Sequence, residues 1–175
     1  MSRAALLQEL AMPRPDPERI ERIVTALETS LPCSLDQQQQ QLEAVWELRW
    51  SSSRQPYLQV QPWLENLQVL QPSQSRGMNL LRLKGPLAGL GSVAVVAELT
   101  LEPPQRVGVR FRRGGWMGPS LGPWRARLLS AVNQAFPAWL DITVLSDELR
   151  ICRGNNGTLF VLTRRADLQP EQLFP

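Results

Sequence analysis

Three groups of residues carry side chains that could do chemistry. Asp141, Asp147 and Glu148 lie close together, and two carboxylates with separated proton affinities would suffice for glycoside hydrolysis. Asp147 and Glu148, however, follow Ser146 in a turn signature, where acids bond the local backbone, so they read as solvated turn residues. Cys152 lies between Arg150 and Arg153, whose charges could lower the thiol pKa for covalent attachment or redox work. In a strand-like run the same cysteine reads as a small structural residue. Gly89, Gly91 and Ala94 match the G-x-G-x-x-A spacing of dinucleotide-binding turns. That turn needs a helix after it and an acid about 20 residues on. Residues 93–101 are instead β-branched and strand-like, so a glycine-rich hairpin turn is expected. The chain has no histidine, which removes most nucleophile–base dyads and histidine metal sites. Two cysteines, Cys33 and Cys152, are too few for a disulfide framework or a four-cysteine zinc site, and both are expected as reduced thiols. No catalytic residue, cofactor or metal is expected.

Charge singles out a different segment. The net charge of +3 conceals 9 basic and 11 acidic residues up to Glu102, six arginines and no acid over 103–140, and 4 basic and 5 acidic residues from Asp141 onward. Within that middle segment the arginines alternate with Phe111, Trp116, Met117, Leu121 and Trp124 around Gly114, Gly115, Gly118 and Gly122. Indole rings and guanidinium groups together suit a membrane headgroup zone. The same residues could stack and clamp single-stranded nucleic acid, or form an ordinary barrel loop with its aromatics in the core.

The elements that must position these residues form one domain, 1–175, with a helical preface over 1–35 and a β-barrel over 42–165. Leu6, Leu7 and Leu10 mark a first helix over 2–11, interrupted by Pro13, Pro15 and Pro17. Asp16 as N-cap and Pro17 at the first helical position start a second, with Ile20, Ile23, Val24 and Leu27 on one stripe. Both are expected to pack on the sheet, with the glutamines 37–41 as a solvated turn. From Leu42 the period becomes two, placing Trp46, Leu48 and Trp50 on one face. Further strands are expected at 57–60, 67–70, 78–84, 93–101 and 107–113. Trp124, Leu128, Leu129 and Val132 have helical spacing, so a short helix is expected over 123–136. Strands at 140–145, 149–153 and 158–164 complete an antiparallel meander, and closure into a barrel would remove its edges. No run of 18 apolar residues occurs.

The run from Trp139 to Gly154, with Leu140-Asp141-Ile142-Thr143-Val144-Leu145-Ser146-Asp147-Glu148-Leu149-Arg150-Ile151-Cys152-Arg153 between them, continues through Gly157-Thr158-Leu159-Phe160-Val161-Leu162. This stretch resembles the plastid lipid-associated proteins, or plastid fibrillins. Residues 42–53 with Trp46 look like that family's first strand, and the 107–111 strand and N-terminal helices occur in the expected order. The resemblance is strongest at the C-terminal hairpin and loose over 54–101. Val144 and Ser146 stand where the family usually has tyrosine and aspartate, and Ala44 where a lipocalin-like glycine is usual.

The resemblance implies a lipocalin-like antiparallel barrel, association with thylakoids or lipid globules, and non-catalytic lipid binding with a photoprotective or structural role. The absent chloroplast-type leader suggests a cyanobacterial member, or otherwise a processed plastid chain, in the cytoplasm or peripheral to thylakoids. Prenyl or acyl small molecules and a peripheral membrane surface are the expected partners, and nucleic acid is not. The alternatives are a ligand-free coat or scaffold of lipid globules or photosynthetic assemblies, and a bilin-handling barrel motivated by Cys152. Cavity candidates are Trp46, Leu48, Trp50, Phe111, Leu149, Ile151, Phe160 and Leu162. Membrane-contact candidates are Arg112, Arg113, Trp116, Met117, Trp124 and Arg125. Trp46, Arg150, Arg153 and Gly154 are candidate structural residues, because in lipocalin-like barrels a first-strand tryptophan packs beneath an arginine from a late strand. A stack of Trp46 with Arg150 or Arg153 is worth roughly 0.5 to 2 kcal/mol. Trp46→Ala is therefore expected to lower the melting temperature, and an unchanged thermal transition would rule the pair out.

Overall fold

The computed structural model describes residues 2–121, 124–134 and 137–175. Three helices come first: α1 (Arg3–Leu10), α2 (Pro17–Ser30) and α3 (Leu35–Leu42). Nine strands follow: β1 (Ala44–Ser51), β2 (Leu64–Gln71), β3 (Arg76–Leu83), β4 (Ser92–Glu102), β5 (Arg106–Leu121), β6 (Trp124–Ala131), β7 (Ala138–Leu145), β8 (Leu149–Gly154) and β9 (Leu159–Arg164). A one-turn helix, α4 (Pro170–Leu173), lies near the C-terminus. The sheet runs β4-β3-β2-β1-β9-β8-β7-β5 and closes through a β4–β5 pairing, giving an eight-stranded antiparallel barrel. β6 stands outside the ring and pairs only with the second half of β5. No helix among the described residues is long and apolar enough to cross a membrane.

The helical preface forms as its sequence requires. The Asp16 side chain accepts from the Glu18 amide, capping α2 behind Pro17. Ile20, Ile23, Val24 and Leu27 are buried with Leu6 and Leu10 of α1 against Val144, Leu149, Ile151, Leu159 and Val161 on the outer face of β7, β8 and β9. Each such side chain contributes roughly 1.5–3 kcal/mol by leaving water. The salt bridge from Arg153 to Glu28, 2.8 Å, fixes α2 on β8.

Three sequence expectations are corrected here. The glutamine run is not a turn but the body of α3, because Leu35 and Leu42, two helical turns apart, are both buried and glutamine is a good helix former. Gln38 ties this helix to the barrel by donating to the Leu145 carbonyl at 3.0 Å. Residues 57–60 are not a strand: Pro56 opens a single 3-10 turn at Pro56–Leu58. The helix expected over 123–136 is strand β6 in its described part, 124–131, and its residues 123, 135 and 136 lie outside the described residues. Apolar spacing there fitted a helix, yet pairing with the glycine-rich β5 prevails. Gly115, at φ 154°, lets the strands close up, since a Cβ there would come within 2.0 Å of the Leu128 carbonyl oxygen.

The C-terminal segment closes a second layer outside the barrel. Leu168, Leu173 and Phe174 pack with Val45, Leu67, Val69, Met78, Leu80 and Ala94. Arg165 anchors this segment through Glu65 at 2.7 Å, Glu47 at 3.4 Å and Asp167 at 2.7 Å. Burial pushes the Glu65 carboxyl upward, but hydrogen bonds and charge from Arg165 and Arg82 outweigh it and hold the pKa below the usual glutamate value. Asp167, bonded to Arg165, is held down to about 2. Depressed carboxylates stabilise the fold above their unfolded pKa values and lose that contribution as pH falls through the folded ones. Arg165→Gln is expected to cost roughly 1–3 kcal/mol at neutral pH. The gap to wild type should narrow through the acid range as Glu65 and Asp167 protonate, as denaturant titrations across that range would show. A gap independent of pH would place the stabilisation elsewhere.

Candidate functional site

Strand alternation assigns the lumen. Ala44, Trp46 and Leu48 of β1 point inward with Leu70, Leu99, Val107, Ile142, Cys152, Phe160 and Leu162. The lower part is filled. Trp46 is fully buried, its Nε1 donating to the Leu42 carbonyl at 3.1 Å, and the guanidinium of Arg150 lies over its ring, 5.3 Å from the centroid. Arg150 is itself fully buried, and its Nη2 donates to Oε1 of Gln68. Its Nε and Nη1 have no hydrogen-bond partner among the described residues. Burial lowers the Arg150 pKa, with the nearby Cys152 thiol pulling the other way.

Above this floor the lumen is open, with a cavity of about 260 Å³. Leu70, Leu99, Val107, Val109, Phe111, Leu140, Ile142 and Phe160 line it, with Gln68 and Asn79 as polar wall residues. Small residues, Ala97, Ala138 and Gly154, occupy lining positions, whereas the place beside Gly77 is taken by Leu99, since a Cβ there would meet its Cδ1 at 3.0 Å. The cavity reaches the surface at Gln55, Trp139, Asn155 and Asn156, the end of the barrel that carries the β1–β2 and β8–β9 loops.

Of the eight cavity candidates, Phe111 and Phe160 line the cavity, and Trp46, Leu48 and Leu162 face inward in the packed core. The other three face out. Leu149 and Ile151 are buried beneath α1 and α2, since they alternate with the inward Arg150 and Cys152. Trp50 packs on that same outer cluster because a bulge at Arg49, between the pairs Leu48↔Leu162 and Trp50↔Val161, inverts the face of β1. Val107 and Val109 went unassigned although they share the period of Phe111. Gly77, Ala97 and Ala138 carry no pattern that would reveal them.

Trp46 stacks with Arg150, one of the two expected partners. Arg153 instead pairs with Glu28, and Gly154 lies at the cavity rim. Among the membrane-contact candidates, Arg113 and Trp116 are exposed, and Arg112 is exposed but pairs with Glu98. Met117 is fully buried and belongs to no surface, since its neighbour Trp116 faces the opposite side of the same strand. The side chains of Trp124 and Arg125 lie outside the described residues. Asp141 pairs with Arg106 at 2.7 Å, which holds its carboxyl below the usual range.

The family model PAP_fibrillin matches residues 10–163. The comparison with curated proteins and the comparison with solved structures return no match.

Both thiols are buried, and burial pushes Cys33 up to about 11 and Cys152 upward against the opposing charge of Arg150. Near pH 8.5, where a free thiol is about half ionised, neither should react with iodoacetamide in the folded protein, and both should react once it is unfolded. Prompt alkylation of Cys152 in the native state would instead mark an accessible thiolate.

Proposed function

The chain belongs to the PAP_fibrillin family, and from that premise we propose that it is a lipid-associated protein whose lumen takes the apolar end of a prenyl or acyl lipid. It works at the surface of a thylakoid membrane or lipid globule, in a photoprotective or structural capacity. The observation that carries this reading is the cavity itself. Its wall is predominantly aliphatic and aromatic, with two amides, Gln68 and Asn79, to orient one polar group. A scaffold with no ligand has no use for small residues at Ala97 and Ala138, which line about 260 Å³ of unfilled space where larger side chains would stabilise the barrel. Affinity comes from removing the ligand's apolar surface from water.

Native mass spectrometry with lipid extraction, on protein purified from a thylakoid-containing host, tests the reading directly. A stoichiometric prenyl or acyl lipid is expected. Ala138→Phe places a ring at the half-buried cavity rim and should weaken capture about tenfold with little change in melting temperature. Protein that is reproducibly empty would point to the coat or scaffold reading.

A further inference from the structure

A polar group of fixed orientation faces the lumen. Gln68 on β2 stands between the buried Arg150 and the cavity, accepting from Arg150 Nη2 on one side and lining the empty space on the other. A guanidinium only donates, so Gln68 must turn its amide oxygen toward Arg150. The amide nitrogen, on the same carbon, is then directed away from the floor. Gln68 itself is buried, and its Nε2 donates to nothing among the described residues. The side-chain nitrogens and oxygens there that are both sealed and unpaired are Nε and Nη1 of Arg150. Gln68 Nε2 is therefore not sealed, and the cavity is the space it opens to.

Nothing in the lining reverses this polarity. No aspartate or glutamate lines the cavity among the described residues. Arg150 has no carboxylate partner among them either, so an uncompensated positive charge stands behind the Gln68 amide and polarises its N–H bonds further. Asn79, the cross-strand partner of Gln68, is exposed, and its side chain has no hydrogen-bond partner among the described residues. It can turn either end of its amide inward and so imposes no polarity. Ser53, Gln55, Asn155, Asn156 and Thr158 lie in the loops at the mouth. The deep part of the lumen thus offers one fixed donor and no fixed acceptor.

We propose that the lumen selects a lipid end by its oxygen chemistry: the end that enters carries a carbonyl on an otherwise apolar ring or chain, and Gln68 Nε2 donates to that oxygen. A hydroxyl in the same place could accept the same hydrogen bond, but its own proton would be left without a fixed acceptor in the field of a buried cation. Arg150 is a positioning residue here, since it holds the Gln68 amide without touching the ligand. The inference rests on the lumenal lipid site proposed above and names the class of end that this site takes.

Calorimetric titration of the full chain with β-ionone and β-ionol tests it. The two share one prenyl skeleton, small enough for a cavity of about 260 Å³, and differ in bearing a ketone or a hydroxyl at the same carbon. Wild type should bind the ketone about tenfold more tightly. Gln68→Glu keeps the side-chain shape and leaves an oxygen on Arg150, but it turns a second oxygen into the cavity in place of the donor. That variant should reverse the order, with the alcohol bound more tightly, and its melting temperature should not fall, because the carboxylate gives Arg150 a counter-ion. Should the variant fail to fold, the ratio in wild type decides alone. Equal affinities in wild type, or a ratio that Gln68→Glu leaves unchanged, would overturn the inference while leaving a lumen that binds lipid. Failure of both probes to bind would also overturn it, and the lumenal reading would fall with it only if native mass spectrometry also found the protein empty.

Discussion

A cation without a counter-ion lies at the floor of this barrel, and much of the fold is arranged around it. Removing a guanidinium from water costs several kcal/mol, and no carboxylate partners Arg150 among the described residues. What offsets that cost is the Trp46 ring face and the Gln68 amide oxygen. Those two residues are direct cross-strand partners on β1 and β2, while Arg150 comes from β8, with Leu162 and Leu145 beside it on β9 and β7. Five strands must therefore be in register for the charge to be tolerated. A slip of one residue would turn Arg150 into the apolar layer under α1 and α2. The buried charge penalises the wrong registers more than it strengthens the right one.

Bulges then set which residues each surface receives. Arg49 in β1 and Thr143 in β7 each shift the register by one residue, so Leu48 and Ile142 face the lumen whereas Trp50 and Val144 face the helices. The shift between Val96 and Ala97 against β5 inserts Arg112, keeping Phe111 and Gly114 both on the inward face. Strict alternation through Phe111 would send Gly114 and Trp116 to the other side.

These same irregularities mark where the sequence is legible and where it is not. The cap of α2 and the β7–β8–β9 meander rest on local signals or on neighbours close in the chain, and each can be read from residues 16–17 and 139–162. The Trp46–Arg150 stack joins β1 to β8 across the barrel, and only the family resemblance, which offered Arg150 or Arg153, pointed to it. Trp50 could not be placed, because a bulge changes the face without changing composition. β6 could not be told from a helix, because Trp124, Leu128, Leu129 and Val132 satisfy helical spacing and only the partner strand decides. α3 was hidden by a glutamine run whose helical propensity matters only once Leu35 and Leu42 have a core to enter. The cavity was half legible: Phe111 and Phe160 follow from alternation, while the small residues Ala97 and Ala138 beside the empty space carry no pattern.

Volume connects the cavity to the mouth. About 260 Å³ lies just below the roughly 300–1,000 Å³ of pockets that enclose most of a small molecule. The floor cannot deepen, since Trp46, Arg150 and Leu162 fill it completely. A long prenyl or acyl chain would therefore have only its end enclosed, with the remainder leaving past Gln55, Trp139 and Asn155. In water that exposed remainder would forfeit its share of the hydrophobic stabilisation, about 0.8 kcal/mol per methylene. Against a bilayer it would forfeit nothing. A lumen this shallow suits a protein that samples the end of a lipid still held in its membrane better than one that carries a whole lipid through water.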